Sequence, residues 1–93
     1  MFLTKTFAPD SRRFSHKEAE QVAIQIAADV LSHRIIVNLE NAFEMTTAAF
    51  ARLVLLRRQL LLTGRDLCLS GLRDRSRGLY EVSRLQEALP MAS

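Results

Sequence analysis

Residues 35–71 read IIVNLENAFEMTTAAFARLVLLRRQLLLTGRDLCLSG, and the fold is decided here. The stretch opens with Ile35-Ile36-Val37-Asn38-Leu39, a continuous, mostly β-branched run of the kind that forms a buried central strand. Thr46-Thr47 then introduces a long helical pattern. Ala49, Phe50, Leu53, Leu56, Leu60 and Leu61 fall in one arc at 100° per residue, with Val54 at its edge. Gly64 stands where a helix stops in a left-handed conformation. Asp66–Ser70, built around Leu67-Cys68-Leu69, reads as the next strand, and Gly71 turns out of it. Strand, helix and strand in this order make a right-handed crossover unit of a parallel sheet.

The flanks extend the alternation. Upstream, Phe2–Ala8 (FLTKTFA) has the β-branched and aromatic content of a short strand, with Lys5 suited to a sheet edge. Pro9-Asp10-Ser11 supplies turn chemistry. Ser15 with Glu18 three residues later forms a capping box. Ala19, Val22, Ala23, Ile26, Ala27 and Val30 then follow at helical spacing, which predicts a helix from about Ser15 to Ser32. Downstream, Asp74 is placed to cap a third helix with Leu79, Tyr80 and Val82 inward. Leu85 and Leu89 mark a last apolar segment before Pro90. The expected order is β-α-β-α-β-α in a single domain spanning 1–93. Its sheet is small and mostly parallel, with helices packed mainly on one face and a short N-terminal strand region over 1–14.

Composition removes several function classes. At 93 residues the chain makes one domain. Its hydrophobic fraction of 48% and charged fraction of 25% suit a soluble globular protein. Cys68, the only cysteine, has no disulfide partner and sits in an apolar run, which agrees with a reducing, cytoplasmic setting. No run reaches the roughly 18–20 apolar residues needed to span a bilayer, and no signal-like segment opens the chain. A net charge of +3, without a basic run interleaved with aromatics, does not predict direct nucleic-acid binding. His16 and His33 lack a metal-ligand spacing. No Gly-x-Ser-x-Gly elbow, Walker loop or dinucleotide fingerprint occurs. No catalytic residue, metal or cofactor is therefore expected, and the chain is read as non-enzymatic.

The segment from Ile36 to Met91 resembles the second half of a STAS domain of the anti-sigma-factor-antagonist type. Asn38-Leu39 stands at that family's Asp-Leu, and Thr47 at the first Ser of its phosphorylation loop. Phe50 and Leu53 occupy the helix's apolar positions, and Arg57-Arg58 its basic ones. Gly64, Leu67-Cys68-Leu69, Gly71 and the series Leu79, Val82, Leu85, Pro90 follow in register. Three positions depart from the pattern: Thr46 replaces the Asp before the phosphorylated Ser, Ala49 the Gly after it, and Asn38 the Asp of Asp-Leu.

The resemblance implies a regulatory module that grips a serine-kinase-like anti-sigma factor and releases it on phosphorylation of Thr47, with Thr46 as second candidate. The implied partner-binding set is Glu44, Met45, Thr46, Thr47, Arg52 and Leu55. A related expectation is a small subunit of an ABC transport complex, for example in lipid transport, holding its ATPase without phosphorylation. From the residues alone, a Thr at this point also serves as a helix cap. Leu55 and Leu62, opposite the core arc, offer an apolar stripe to a partner or to a second copy of the chain. Arg73, Arg75 and Arg77 form a basic stretch that suits solvent, an anion or an acidic partner.

Overall fold

The computed structural model describes residues 3–92, so the expected start of the first strand at Phe2 lies outside the described residues. In chain order the elements are β1 (Thr4–Phe7), β2 (Arg13–Phe14), α1 (His16–Ala28), β3 (Arg34–Asn38), β4 (Glu44–Met45), α2 (Thr47–Leu61), β5 (Asp66–Ser70) and α3 (Asp74–Val82). The expected β-α-β-α-β-α alternation is present, with the two-residue strands β2 and β4 added to it.

The main sheet has the order β1-β3-β5, and both pairings are parallel. β3 is central, as its β-branched run predicts, and β1 lies at an edge. The register aligns Phe7, Val37 and Leu69 across the sheet, and Lys5, Ile35 and Leu67 one step earlier. Alternation then gives one face to Ile35, Val37, Leu67 and Leu69, all fully buried, and the other to Thr4, Thr6 and Arg34, which are exposed. Cys68 is buried although it belongs to the open face. Beyond β5, Met91 pairs in parallel with Leu69 and closes that edge. β2 and β4 form a separate parallel pair, Arg13 with Glu44 and Phe14 with Met45.

The helices cover the apolar face. α1 contributes Ala19, Val22, Ala23 and Ile26, and α2 contributes Ala49, Phe50, Leu53, Leu56 and Leu60. Together with the inward strand residues, Phe14, Leu39, Leu72, Tyr80 and Leu89, they form one core. α1 starts where its capping box predicts. Ser15 gives both its amide (2.9 Å) and its hydroxyl (2.7 Å) to the Glu18 carboxylate. The Ser15 amide is the main reason that the Glu18 carboxyl titrates below its ordinary range. That contribution to stability is present above the usual carboxylate pKa and is lost as pH falls through the lowered one.

The helix boundaries depart from expectation in identifiable ways. α1 stops at Ala28, not Ser32. Asp29 leaves helical geometry and its carboxylate accepts the amides of Leu31 (3.1 Å) and Ser32 (3.3 Å), which turns the chain toward β3. Ala27 and Val30, expected inside, are exposed, Val30 by 80%. α2 ends as expected at a left-handed Gly64 (φ +76°). Arg65 N–H reaches the Leu60 carbonyl (2.9 Å) and Gly64 N–H the Leu61 carbonyl (3.2 Å), the paired bonds of a Schellman motif. Leu61, at the last helical position, is exposed instead of buried.

In α3, Arg73 takes the cap position without a side-chain bond, and Asp74 is the first helical residue, with φ +43°. The buried face of α3 is set by Ser76 and Tyr80, four residues apart, with Leu79 half-buried. Val82, expected inward, is 83% exposed. Ser76 is buried because its hydroxyl donates to the Ala42 carbonyl (3.0 Å), and Tyr80 because its hydroxyl donates to the Leu89 carbonyl (2.7 Å).

Candidate functional site at the start of the second helix

The loop before α2 is held from two sides. On one, β2–β4 pairing is continued by Glu44 N–H to the Arg12 carbonyl (3.0 Å) and Thr46 N–H to the Phe14 carbonyl (3.1 Å). On the other, Ser76 binds Ala42. A fully buried Phe14 and a half-buried Met45 anchor the loop to the core. The N-terminus of α2 is thus a fixed platform.

The two threonines on it differ. Thr46 is the N-cap; its hydroxyl oxygen accepts the Ala49 N–H (3.1 Å), and it is half-buried. Thr47 is the first helical residue and exposed. The capping role offered to the pair belongs to Thr46, and Thr47 presents its side chain outward at the positive end of the helix dipole. Thr46→Ala is expected to cost about 0.5–2 kcal/mol of stability, the usual worth of an N-cap. Thr47→Ala should stay within about 0.5 kcal/mol, as for other exposed positions. Urea denaturation of the two variants checks this; equal losses would remove the distinction.

The remaining residues of the expected partner-binding set do not all share one surface. Glu44 is exposed on β4, and Met45 is half-buried beneath it. Leu55 is 48% exposed. It lies two turns, about 12 Å, along α2 from Thr47. Ala48, Ala51, Arg58 and Leu62 are exposed on the same side. Arg52 points elsewhere. Its guanidinium pairs with Glu20 of α1, its side chain is only 17% exposed, and Nη1 is buried without a partner among the described residues. Arg52 therefore ties α2 to α1 along their seam. Thr47, Ala51, Leu55 and Leu62 form the outward stripe.

One grouping was not foreseen. Phe43, in the β3–β4 connection, carries the Arg12 and Arg73 guanidinium carbons at 5.6 and 5.4 Å from its ring centroid. These residues lie in three separate loops, and no spacing in the sequence joins them.

Among the described residues, no group of three or more His, Cys, Asp or Glu side chains is placed to hold a metal ion. Nor, among them, is any helix long and apolar enough to cross a membrane.

No family model and no curated protein matches the sequence. Among solved structures, the chain is similar to the crystal structure of a sulfate transporter family protein from Wolinella succinogenes, at 17% identity and a TM-score of 0.76. The match covers 92% of this chain and 70% of that one. The fold is STAS-like. In this STAS-like frame Thr47 stands exposed at the start of α2.

Proposed function

We propose that this STAS-like domain is a non-enzymatic, cytoplasmic regulator of the anti-sigma-factor-antagonist type, which binds a serine-kinase-like partner through the start of α2. The observation that carries the reading is Thr47, exposed at the first position of a helix whose outward side continues through Ala51, Leu55 and Leu62. A phosphate there adds roughly −1.5 to −2 charges at a helix N-terminus, where the dipole tolerates them. The domain keeps its fold, and a partner resting on the same stripe loses its contact. Glu44 and Met45 border that contact, Thr46 fixes the helix start, and Arg52 holds α2 in place against α1.

The experiment is a pull-down with wild type, Thr47→Ala and Thr47→Glu, with mass spectrometry of both the captured partner and Thr47. Capture of a histidine-kinase-like ATPase by wild type and Ala, with loss in Glu, is the expected result. Equal capture by all three, with Thr47 never modified, rejects the switch.

A second reading has its own support: the structural neighbour is named for a sulfate transporter family, and Thr46 stands as a cap where the resemblance expects Asp. In that reading the domain is a constitutive subunit that holds a transporter ATPase by the same stripe. The pull-down separates the two by the partner it returns.

A further inference from the structure

The loops that leave the C-terminal ends of β1, β3 and β5 meet at one end of the sheet. With the first turn of α3 they bring Arg12, Phe43, Arg73 and Arg75 together around a shallow concavity of about 310 Å³, with Glu44 of β4 and Asp74 in the same wall. A second concavity of about 310 Å³ shares Arg75 and Glu44, adds Arg13, and extends to Thr46. Four arginines thus line a continuous surface that ends at the cap of α2.

Four other arginines of the chain are already engaged. Arg52, Arg57 and Arg77 each pair with a carboxylate, and Arg65 is tied to the carbonyls of Ser32 and Asp29. Among the described residues, Arg12, Arg13, Arg73 and Arg75 form no ion pair within 4.0 Å, and Arg73 donates one long hydrogen bond to the Glu40 carbonyl (3.4 Å). Arg12 and Arg73 are instead gathered on the ring of Phe43. The ring face attracts both cations but neutralises neither. Two guanidinium groups held near one exposed ring have lost part of their side-chain freedom already, and each keeps a planar fork of donors suited to carboxylates.

We propose that this end of the sheet is a docking surface for an acidic segment of a partner protein, in which spaced Glu or Asp side chains reach Arg12, Arg73 and Arg75. The inference rests on the reading of the domain as a partner-binding module and assigns the chemistry of the partner. Spaced carboxylates fit better than a polyphosphate chain. Glu44 and Asp74 stand among the arginines and repel a continuous run of negative charge. The backbone offers no open cradle either, because Gly71, the glycine at this end of the sheet, is packed against Asn38 and Glu40. Both concavities are open, as a protein surface requires, rather than enclosed around a small ligand.

The test uses the full chain and a fluorescein-labelled helical peptide with Glu at every third or fourth position, alongside its Gln counterpart. Fluorescence anisotropy should show binding of the Glu peptide alone, weakened by added salt. The double variant Arg12→Glu/Arg75→Glu should weaken binding by at least about tenfold, and Arg34→Glu/Arg84→Glu, with the same charge change elsewhere, by less than about threefold. Phe43→Ala, which keeps every charge, should weaken binding by an intermediate factor. Circular dichroism verifies that each variant is folded. Equal losses in the two double variants, or tighter binding of a single-stranded oligonucleotide than of the Glu peptide, overturns the proposal. Peptide binding does not depend on Thr47. A Glu peptide that binds as described while Thr47→Glu leaves partner capture unchanged therefore rejects only the phosphorylation switch. A partner captured with equal affinity by Arg12→Glu/Arg75→Glu rejects only the acidic docking surface.

Discussion

Phe50→Ala is expected to lower the melting temperature by roughly 12–40 °C, a loss of about 3–5 kcal/mol at 4–8 °C per kcal/mol. Phe50 is 2% exposed and belongs to the core beneath α2. Its ring meets that of Tyr80 in a tilted pair, centroids 6.2 Å apart, and Tyr80 in turn donates to the Leu89 carbonyl. Phe50 therefore joins α2 to α3 and to the segment that closes the β5 edge. A domain of this size holds only about 5–14 kcal/mol in all, so one truncation removes a large share. Thermal melting by circular dichroism reads the effect directly. A shift of only a few degrees would mean that the α2–α3 contact carries little of the stability.

Gly71→Ala is the second large effect, expected at roughly 2–4 kcal/mol. Gly71 has φ +74°, where an L side chain is strained, and a Cβ there would lie 2.5 Å from Asn38 Oδ1 and 2.9 Å from the Glu40 amide nitrogen. Neither neighbour gives way easily, because the Asn38 oxygen accepts that same Glu40 N–H (3.0 Å). Gly64 provides a matched control. Its φ of +76° is nearly the same, and nothing lies within 4 Å of its Cβ position. Gly64→Ala should cost about 1–2 kcal/mol, the strain without the clash. Urea denaturation of both variants isolates the steric part. Equal costs would show that the turn at Asn38–Glu40 relaxes.

The elements with a long, regular pattern were legible in the sequence. β3, α2 and β5 appear close to where the apolar spacing predicts them, and Gly64 adopts the expected conformation. β2 and β4 were not legible, because a strand of two residues has no period to detect. α1 was overextended because Val30 continued its apolar spacing, while the turn that ends the helix depends on Asp29 accepting two later amides, which apolar spacing does not register. α3 was misphased at Val82, since its inner face is fixed by a serine whose partner, Ala42, lies 34 residues away.

The site shows the same division. That a threonine opens α2 was legible, and so was the outward direction of Leu55 and Leu62. Which threonine caps the helix depends on one hydrogen bond. The burial of Arg52 depends on Glu20, which lies 32 residues earlier. The grouping of Arg12, Phe43 and Arg73 depends on three loops meeting only in the folded chain.

The parallel pairing has a consequence for how the chain folds. Thr4 pairs with Arg34, Arg34 with Asp66, and Arg13 with Glu44, so each partner lies about thirty residues along the chain. Among the described residues no hairpin is available as a local nucleus, and each of these ladders must first close a long loop against chain entropy. The helix inside each loop forms from local contacts and shortens the distance to be closed, at 1.5 Å per residue instead of about 3.3 Å. The expected order of events is that α1 and α2 coil early and dock on each other, and the sheet zips afterwards. Substitutions along the α1–α2 seam, Arg52 and Glu20 among them, should therefore slow folding, whereas those in the β ladders should mainly speed unfolding.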